Sequence, residues 1–76
     1  LMRDDHFLHA PISDLGALRD SVGLPLADID LPGSCLIAII ERDGDIIIAA
    51  PKEVLQPGDH VAVIGEPEDL TTLVKG

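Results

Sequence analysis

Two runs of aliphatic residues, 36–40 and 46–50, constrain the fold of this chain more than any other feature. Asp43-Gly44 lies between them. A dipeptide of this kind between β-branched residues predicts a two-residue hairpin loop, because a type I′ turn needs positive φ at both positions. A half-buried antiparallel strand alternates apolar and polar residues, whereas both runs are apolar throughout. The pattern therefore predicts a hairpin whose two faces both need cover.

Little of the chain is left to provide that cover. A domain of 76 residues buries only about 60% of the surface that its unfolded chain exposes, so it usually needs disulfides, a metal or a partner subunit. Cys35 is the only cysteine, which excludes an internal disulfide. Either the short segments around residues 14–29 or a second copy of the chain covers the remaining face. We favour the second copy, and so expect a homodimer, because symmetric pairing is the usual solution for small exposed sheets.

The N-terminal part of the chain predicts short elements only. Residues 3–12 become apolar after a charged start, but Pro11 limits them to a short edge strand, because proline cannot donate to a ladder. A short helix is expected over residues 14–22, although Gly16 weakens that prediction. A second short helix is expected at residues 26–29, where a proline precedes it in the favoured first-turn position.

The C-terminal part carries stronger signals. Pro57-Gly58 predicts a turn in which the glycine supplies positive φ, and the run His60-Val61-Ala62-Val63-Ile64-Gly65 predicts a third firm strand. Pro67 suits the first turn of a closing helix, and two acidic residues after it favour the positive end of the helix dipole. The helix has one apolar stripe, formed by Leu70, Leu73 and Val74. Together these elements predict a two-layer α+β fold with a small, mostly antiparallel sheet, a β-hairpin and a C-terminal helix.

The charge of the chain excludes two classes of partner. Its formal net charge is −9, whereas phosphate backbones and anionic membrane surfaces select clustered lysine and arginine. Only 1% of the residues are aromatic, so the stacking platforms of single-strand and RNA recognition are missing. No apolar run approaches the roughly 20 residues of a membrane span. We expect neither nucleic-acid binding nor direct membrane insertion.

Candidate catalytic and metal-binding residues are few. His6 and His9 follow two aspartates, but an i, i+3 pair shares a face only on a helix, so a metal site is not expected. Cys35 opens an apolar strand and is expected to act as a small hydrophobic residue, with His60 too remote for a catalytic pair. Asp59 closes the Pro-Gly turn and is expected to accept hydrogen bonds from nearby backbone N–H groups. We expect no catalytic residue, no metal site and no enzymatic activity.

The order of these features is that of a known family. From Val22 the chain reads V-G-L-P-L-A-D-I-D-L-P-G-S-C-L-I-A-I-I-E-R-D-G-D-I-I-I-A-A-P and, further on, L-Q-P-G-D-H-V-A-V-I-G. This closely resembles the TrkA-C domain, also called RCK-C, the C-terminal half of regulators of potassium conductance. The matching features are the stretch ending at Leu31-Pro32, the strand running into Arg42, the hairpin and the Gly-Asp strand. The resemblance divides the chain into residues 1–21, an N-terminal strand or linker, and residues 22–76, a TrkA-C-like regulatory domain.

This resemblance implies a function. TrkA-C domains dimerise and regulate potassium or other ion transport in the cytoplasm, attached to or associated with the inner face of the membrane. The implied partner is a membrane ion transporter or channel, or an RCK-N domain, in the same or another chain. The implied role is a ligand-sensing, dimerising regulatory domain. The alternative is a purely structural dimerisation module without a small-molecule ligand.

The resemblance also implies a candidate ligand, and no cofactor is expected besides it. Some TrkA-C domains bind cyclic di-AMP at the dimer interface through aliphatic side chains and an arginine. On so acidic a surface an anionic ligand needs a local cation, and the planar fork of Arg42 suits phosphate. The aliphatic walls would then be formed by Ile37, Ile39 and Ile47. Three acidic residues of the same hairpin, Glu41, Asp43 and Asp45, oppose this placement.

Overall fold

The computed structural model of the chain describes residues 2–76 as an antiparallel sheet with one α-helix. The strands are β1 (Met2–Asp4), β2 (Phe7–Pro11), β3 (Leu36–Arg42), β4 (Asp45–Ile48) and β5 (His60–Ile64). The helix, α1, is Pro67–Lys75, and single 3-10 turns lie at Ile12–Asp14 and Leu26–Asp28. The strands lie in the order β1-β2-β5-β3-β4 with every neighbouring pair antiparallel. The predicted two-layer α+β fold is confirmed.

The hairpin between β3 and β4 forms as its turn residues predict. Asp43 and Gly44 both have positive φ, 52° and 83°, as a type I′ turn requires. Arg42 pairs with Asp45 directly before and after this turn. The second strand of the hairpin, β4, is shorter than expected and ends at Ile48. The N–H of Ala50 donates to the carbonyl oxygen of Ile48 at 2.8 Å, and this turn directs the chain away from the sheet.

One face of the sheet is covered by the helix and the turns. Leu8 and Ile37 both pair with Val63 across β5, and these side chains share a single core cluster with Leu70 and Leu73 of α1. The core also includes residues from the N-terminal segment, Leu8, Ala10, Ile12, Leu15 and Leu18. It therefore runs across the boundary predicted at residue 21.

The N-terminal strand lies deeper in the sheet than its proline suggested. β2 pairs with β1 on one side and β5 on the other, so the prediction of an edge strand is wrong. Pro11 is the last residue of β2, where the chain leaves the ladder. The edge of the sheet is instead β1, whose Arg3 donates from Nη2 to the carbonyl oxygen of Pro67 at 2.6 Å and to Thr71 Oγ1 at 3.0 Å.

The prediction of a helix over residues 14–22 is also wrong, because backbone N–H groups in this segment donate to carbonyl oxygens of α1 instead. The N–H of Gly16 donates to the carbonyl oxygen of Val74 at 2.9 Å, and that of Ala17 to Leu73 at 3.1 Å. A Cβ on Gly16 would lie 2.8 Å from the carbonyl oxygen of Lys75. Only glycine allows this approach, so the segment docks as turns on the C-terminal end of α1.

The remaining predicted elements are confirmed. The helical stretch at residues 26–29 is one 3-10 turn, preceded by Pro25 in an extended conformation. The apolar stripe of α1 faces the core, with Leu70 and Leu73 buried. Gly58 has φ of 84°, which fits the third position of a type II turn after Pro57.

We predict that Gly58→Val lowers the free energy of unfolding by more than about 1 kcal/mol, because a β-branched residue is strained at positive φ. No heavy atom lies within 4 Å of a Cβ built at Gly58, so the effect comes from the backbone alone. Gly58→Asn should lower the free energy of unfolding by less, because asparagine tolerates the left-handed region. Thermal unfolding measures both variants, and equal stability of the valine variant and the wild type would contradict the assigned turn.

Candidate functional site

The second face of the sheet, which we call the open face, is apolar and uncovered. The strand registers place these apolar residues on it: Met2, Phe7, Leu36, Ile39, Ile46, Ile48, Ala62 and Ile64. The large side chains at positions 2, 7, 36, 46, 48 and 64 are between 37% and 80% exposed. Within residues 2–76, therefore, no element packs over them. Side chains at these exposures present on the order of 600 Å² of apolar surface, the upper end for a typical monomer.

A bulge in β3 separates the three isoleucines predicted to bind a ligand. The register shifts between Ile37 and Ile39, so that Ile37 pairs with Val63 on the covered face and Ile39 with Ala62 on the open face. Ile47 pairs with Ile40 and is half-buried on the covered face. The structure does not bring the three onto one surface. Their role in ligand binding remains a prediction.

An apolar groove lies where the covered layer ends beside β3. Its volume is about 270 Å³. It is lined by Leu26, Ala27, Leu31, Leu36, Ile37, Ala49 and Pro51. Leu36 belongs to both the groove and the open face, so a molecule seated on the open face would also border the groove. Sequence reasoning missed this site, because it depends on packing the 3-10 turn at Leu26–Asp28 near the end of β4.

Arg42 makes a bidentate ion pair with a buried carboxylate. Its Nε and Nη2 donate to Oδ1 and Oδ2 of Asp59, each at 2.9 Å, and Nη2 also donates to the carbonyl oxygen of Val54 at 3.0 Å. Nη1 lies 3.4 Å from Oε2 of Glu53. Asp59 is fully buried, and its Oδ2 accepts from the N–H of Gln56 at 2.9 Å, as predicted for an aspartate closing this turn. The ion pair links the segment before β5 to the end of β3.

These bonds shift the titration of both partners. The hydrogen bond from Arg42 is the main cause that lowers the pKa of Asp59 below its usual range, against the opposing effect of burial. The hydrogen bond to Asp59 likewise raises the pKa of Arg42. The predicted role of Arg42 as a phosphate anchor remains a prediction, and any ligand must compete with these intramolecular acceptors.

A polar cluster lies at one end of the open face, beside the turns at Asp43-Gly44 and Pro57-Gly58. His9 Nε2 is 2.6 Å from Oε2 of Glu41, and the rings of His9 and His60 have centroids 5.9 Å apart. With Asp43 and two glycines these residues line a recess of about 430 Å³. Pairing of β2 and β3 on either side of β5 creates the cluster. Residues 9, 41 and 60 are far apart in sequence, so only the sheet order could have revealed it.

The candidate metal and nucleophile residues do not assemble. His6 lies in the β1–β2 turn and contacts Glu66 at 3.5 Å, away from His9. Within residues 2–76, no group of three or more His, Cys, Asp or Glu side chains is placed to hold a metal ion. Cys35 is half-buried, and burial, with a smaller contribution from Asp69, raises the pKa of its thiol. No helix in the described part of the chain is long and apolar enough to cross a bilayer.

Comparison with known proteins identifies relatives of this fold. Residues 17–75 match the TrkA-C domain family. The chain is 35% identical over 52 residues to the Trk system potassium uptake protein TrkA homolog 2 of Methanosarcina mazei. That alignment covers 68% of this chain but only 12% of the relative, so the chain corresponds to a small part of it.

Two solved structures have the same fold. An RCK domain with cda superposes with a TM-score of 0.77 at 18% identity, covering 92% of this chain and 94% of that one. The RCK_C domain dimer of S. agalactiae BusR in complex with c-di-AMP has a TM-score of 0.69 at 22% identity, covering 92% and 91%. At these identities the likeness establishes the fold alone.

We predict that Asp59→Asn lowers the free energy of unfolding by about 2 kcal/mol, because it removes the charged partner of a buried ion pair. For a domain of this size that corresponds to a fall of roughly 10 °C in Tm. The exposed Asp30 provides the control, and Asp30→Asn should leave Tm within about 2 °C of wild type. Equal melting of Asp59→Asn and wild type would contradict the structural role of the pair.

The same pair predicts an acid transition. Because the folded state holds the pKa of Asp59 below its usual value, the pair contributes stability at pH above about 4. That contribution is lost as the pH falls through the lower pKa of the folded state. The difference in free energy of unfolding between the wild type and Asp59→Asn should therefore shrink as the pH falls. Parallel stability curves for the two proteins between pH 5 and 2 would contradict this assignment.

Proposed function

This chain belongs to the TrkA-C domain family, and on that premise we propose that it is a cytoplasmic regulatory domain of a potassium or other ion transporter or channel. Its relatives named as Trk potassium uptake proteins support this role. The regulated partner is a membrane ion transporter, or an RCK-N domain that acts on one, in the same or another chain. The domain transmits a signal and catalyses no reaction.

The observation that carries the proposal is the uncovered open face. Its exposed apolar area, about 600 Å², approaches the roughly 800 Å² per partner of a standard interface. A second copy of the chain presents the same apolar surface, and a two-fold axis pairs such surfaces with themselves. The chain is therefore proposed to act as a homodimer joined through the open face. Dimerisation gives a regulatory domain two states, either monomer and dimer or two relative orientations of the subunits. A ligand that binds one state more tightly shifts the population towards it.

The groove beside the open face is the proposed ligand site. At about 270 Å³ it is smaller than the 300–1,000 Å³ of typical ligand pockets, so one copy holds only part of a ligand. Because Leu36 joins the groove to the open face, two copies would bring two grooves to one interface. Cyclic di-AMP is itself two-fold symmetric, with two bases for two apolar grooves, and two structural relatives contain cda or c-di-AMP.

The four residues predicted to bind this ligand have different positions in such a site. Ile37 lines the groove, Ile39 lies on the open face, and Ile47 supports Ile40 beneath the sheet. For Arg42, the weakest intramolecular contact is the one from Nη1 to Glu53, at 3.4 Å. We propose that a phosphate displaces Glu53 there and leaves the bidentate pair with Asp59 intact.

One observation favours the alternative, a structural dimerisation module without a small ligand. The chain carries a net charge of −9, and the guanidinium of Arg42 already faces two carboxylates. Three acidic side chains surround the hairpin, Glu41, Asp43 and Asp45. An anionic ligand would enter against this field, whereas apolar self-association needs no cation.

We predict that the chain sediments at micromolar concentration as a dimer of about twice its 8.0 kDa monomer mass. Ile48 is the most exposed large apolar residue of the open face, at 80%, so Ile48→Glu should give a folded monomer by placing a charge at the contact. Leu24 is exposed outside the sheet, and Leu24→Glu should leave the dimer intact. A folded wild-type monomer at high concentration would contradict the homodimer.

We predict that cyclic di-AMP binds with a stoichiometry of one ligand per two chains in isothermal titration calorimetry. Ala27 lines the groove and is exposed, so Ala27→Leu should weaken binding at least about tenfold by filling the groove. The exposed Ala50 lies outside the groove lining, and Ala50→Leu should bind as wild type does. A dimer that binds no cyclic di-AMP would favour the structural module, and Ala27→Leu binding normally would refute the groove as the site.

A further inference from the structure

The polar cluster of His9, Glu41 and His60 spans three neighbouring strands at the end of the open face that lies beside the hairpin turn. We propose that self-association through the open face is linked to protonation of this cluster, so that the dimer tightens as the pH falls from about 8 to 6. This inference rests on the homodimer proposed above. Histidine is the side chain whose charge ordinarily changes in this range, and histidine clusters at interfaces respond to it.

The geometry couples the histidines to one carboxylate. His9 Nε2 and Glu41 Oε2 are 2.6 Å apart, and the two side chains are 31% and 36% exposed. Glu41 pairs directly with His60 across the β3–β5 ladder, while His9 pairs with Ala62, two residues further along β5 and on the same face. A second copy seated on the open face would therefore cover all three groups at once.

The charged groups that face the cluster from neighbouring elements are all acidic. The hairpin turn contributes Asp43, which lines the same recess. β1 contributes no charged group there, because the residue paired with His9 is Met2. Asp59 precedes His60 and interacts with it, but its own charge is already matched by Arg42. Among the described residues around the recess, no lysine or arginine faces the two histidines, so protonation meets an acidic environment.

The sign of the linkage follows from these charges. Without a proton on either imidazole, the carboxylate of Glu41 gives the cluster a net negative charge, and a two-fold axis brings a second such cluster to the same interface. Like charges brought together and desolvated weaken association. Protonation of His9 converts its contact with Glu41 into an ion pair without net charge. The dimer thus binds more protons than two monomers do, and it is favoured at lower pH.

The test is sedimentation equilibrium of the chain at pH 8, 7 and 6, at a constant ionic strength of about 0.15 M, where long-range repulsion is screened beyond roughly 8 Å. We expect the dimer Kd of the wild type to fall at least about tenfold from pH 8 to 6. Replacing both His9 and His60 by glutamine should abolish most of this change. Glu41→Gln should give at pH 8 a dimer about as tight as the wild type at pH 6.

His6 provides the matched control, because it lies in the β1–β2 turn beside Glu66 rather than on the open face. His6→Gln should keep the full pH dependence, and thermal melting checks that each variant is folded. A wild-type dimer whose Kd is constant from pH 8 to 6 overturns the inference but leaves the homodimer. A pH dependence that survives loss of both His9 and His60 also overturns it. A chain that stays monomeric at every pH overturns both proposals.

Discussion

A sheet with two apolar faces needs two covering layers, and residues 2–76 supply one. The only α-helix of residues 2–76 has nine residues, and it packs with the 3-10 turn at Ile12–Asp14 and with Leu15 and Leu18 on one side, where they bury the core. The open face, the groove at the margin of the covered layer and the exposure of the polar cluster at one end of the open face are consequences of that imbalance. For a domain this small, whose own core is marginal, a second copy is the most direct source of the missing layer.

Arg42 is one of only five basic residues in this acidic chain, and its guanidinium already has an intramolecular partner in Asp59. Bidentate bonds of 2.9 Å to a fully buried carboxylate hold the segment before β5 against β3. That structural use restricts any role in binding phosphate to Nη1, beside Glu53. The ligand-sensing and purely structural proposals therefore differ in whether a ligand can compete for one edge of this guanidinium, while both require the same open face.

The sequence predicts the structure best where interactions between residues close in sequence fix the conformation. Asp43-Gly44, Pro57-Gly58 and the stripe of α1 each specify their conformation within a few residues, and each element formed as predicted. The failures arise from tertiary contacts. Gly16 bonds to the end of α1 instead of continuing a helix, and β2 pairs with a strand on each side instead of forming an edge. The polar cluster depends on strand order, which no local pattern encodes.

Isoleucine methyl NMR on a dilution series locates the dimer contact on one face of the sheet, because the chain carries isoleucines on both faces. We expect the methyl signals of four isoleucines on the open face to shift as the dimer dissociates: Ile39, Ile46, Ile48 and Ile64. The buried Ile40 on the covered face should keep its signal unchanged and serve as the internal reference. Shifts confined to residues outside the open face, or signals independent of concentration in a folded monomer, would show that the chain does not dimerise through the open face.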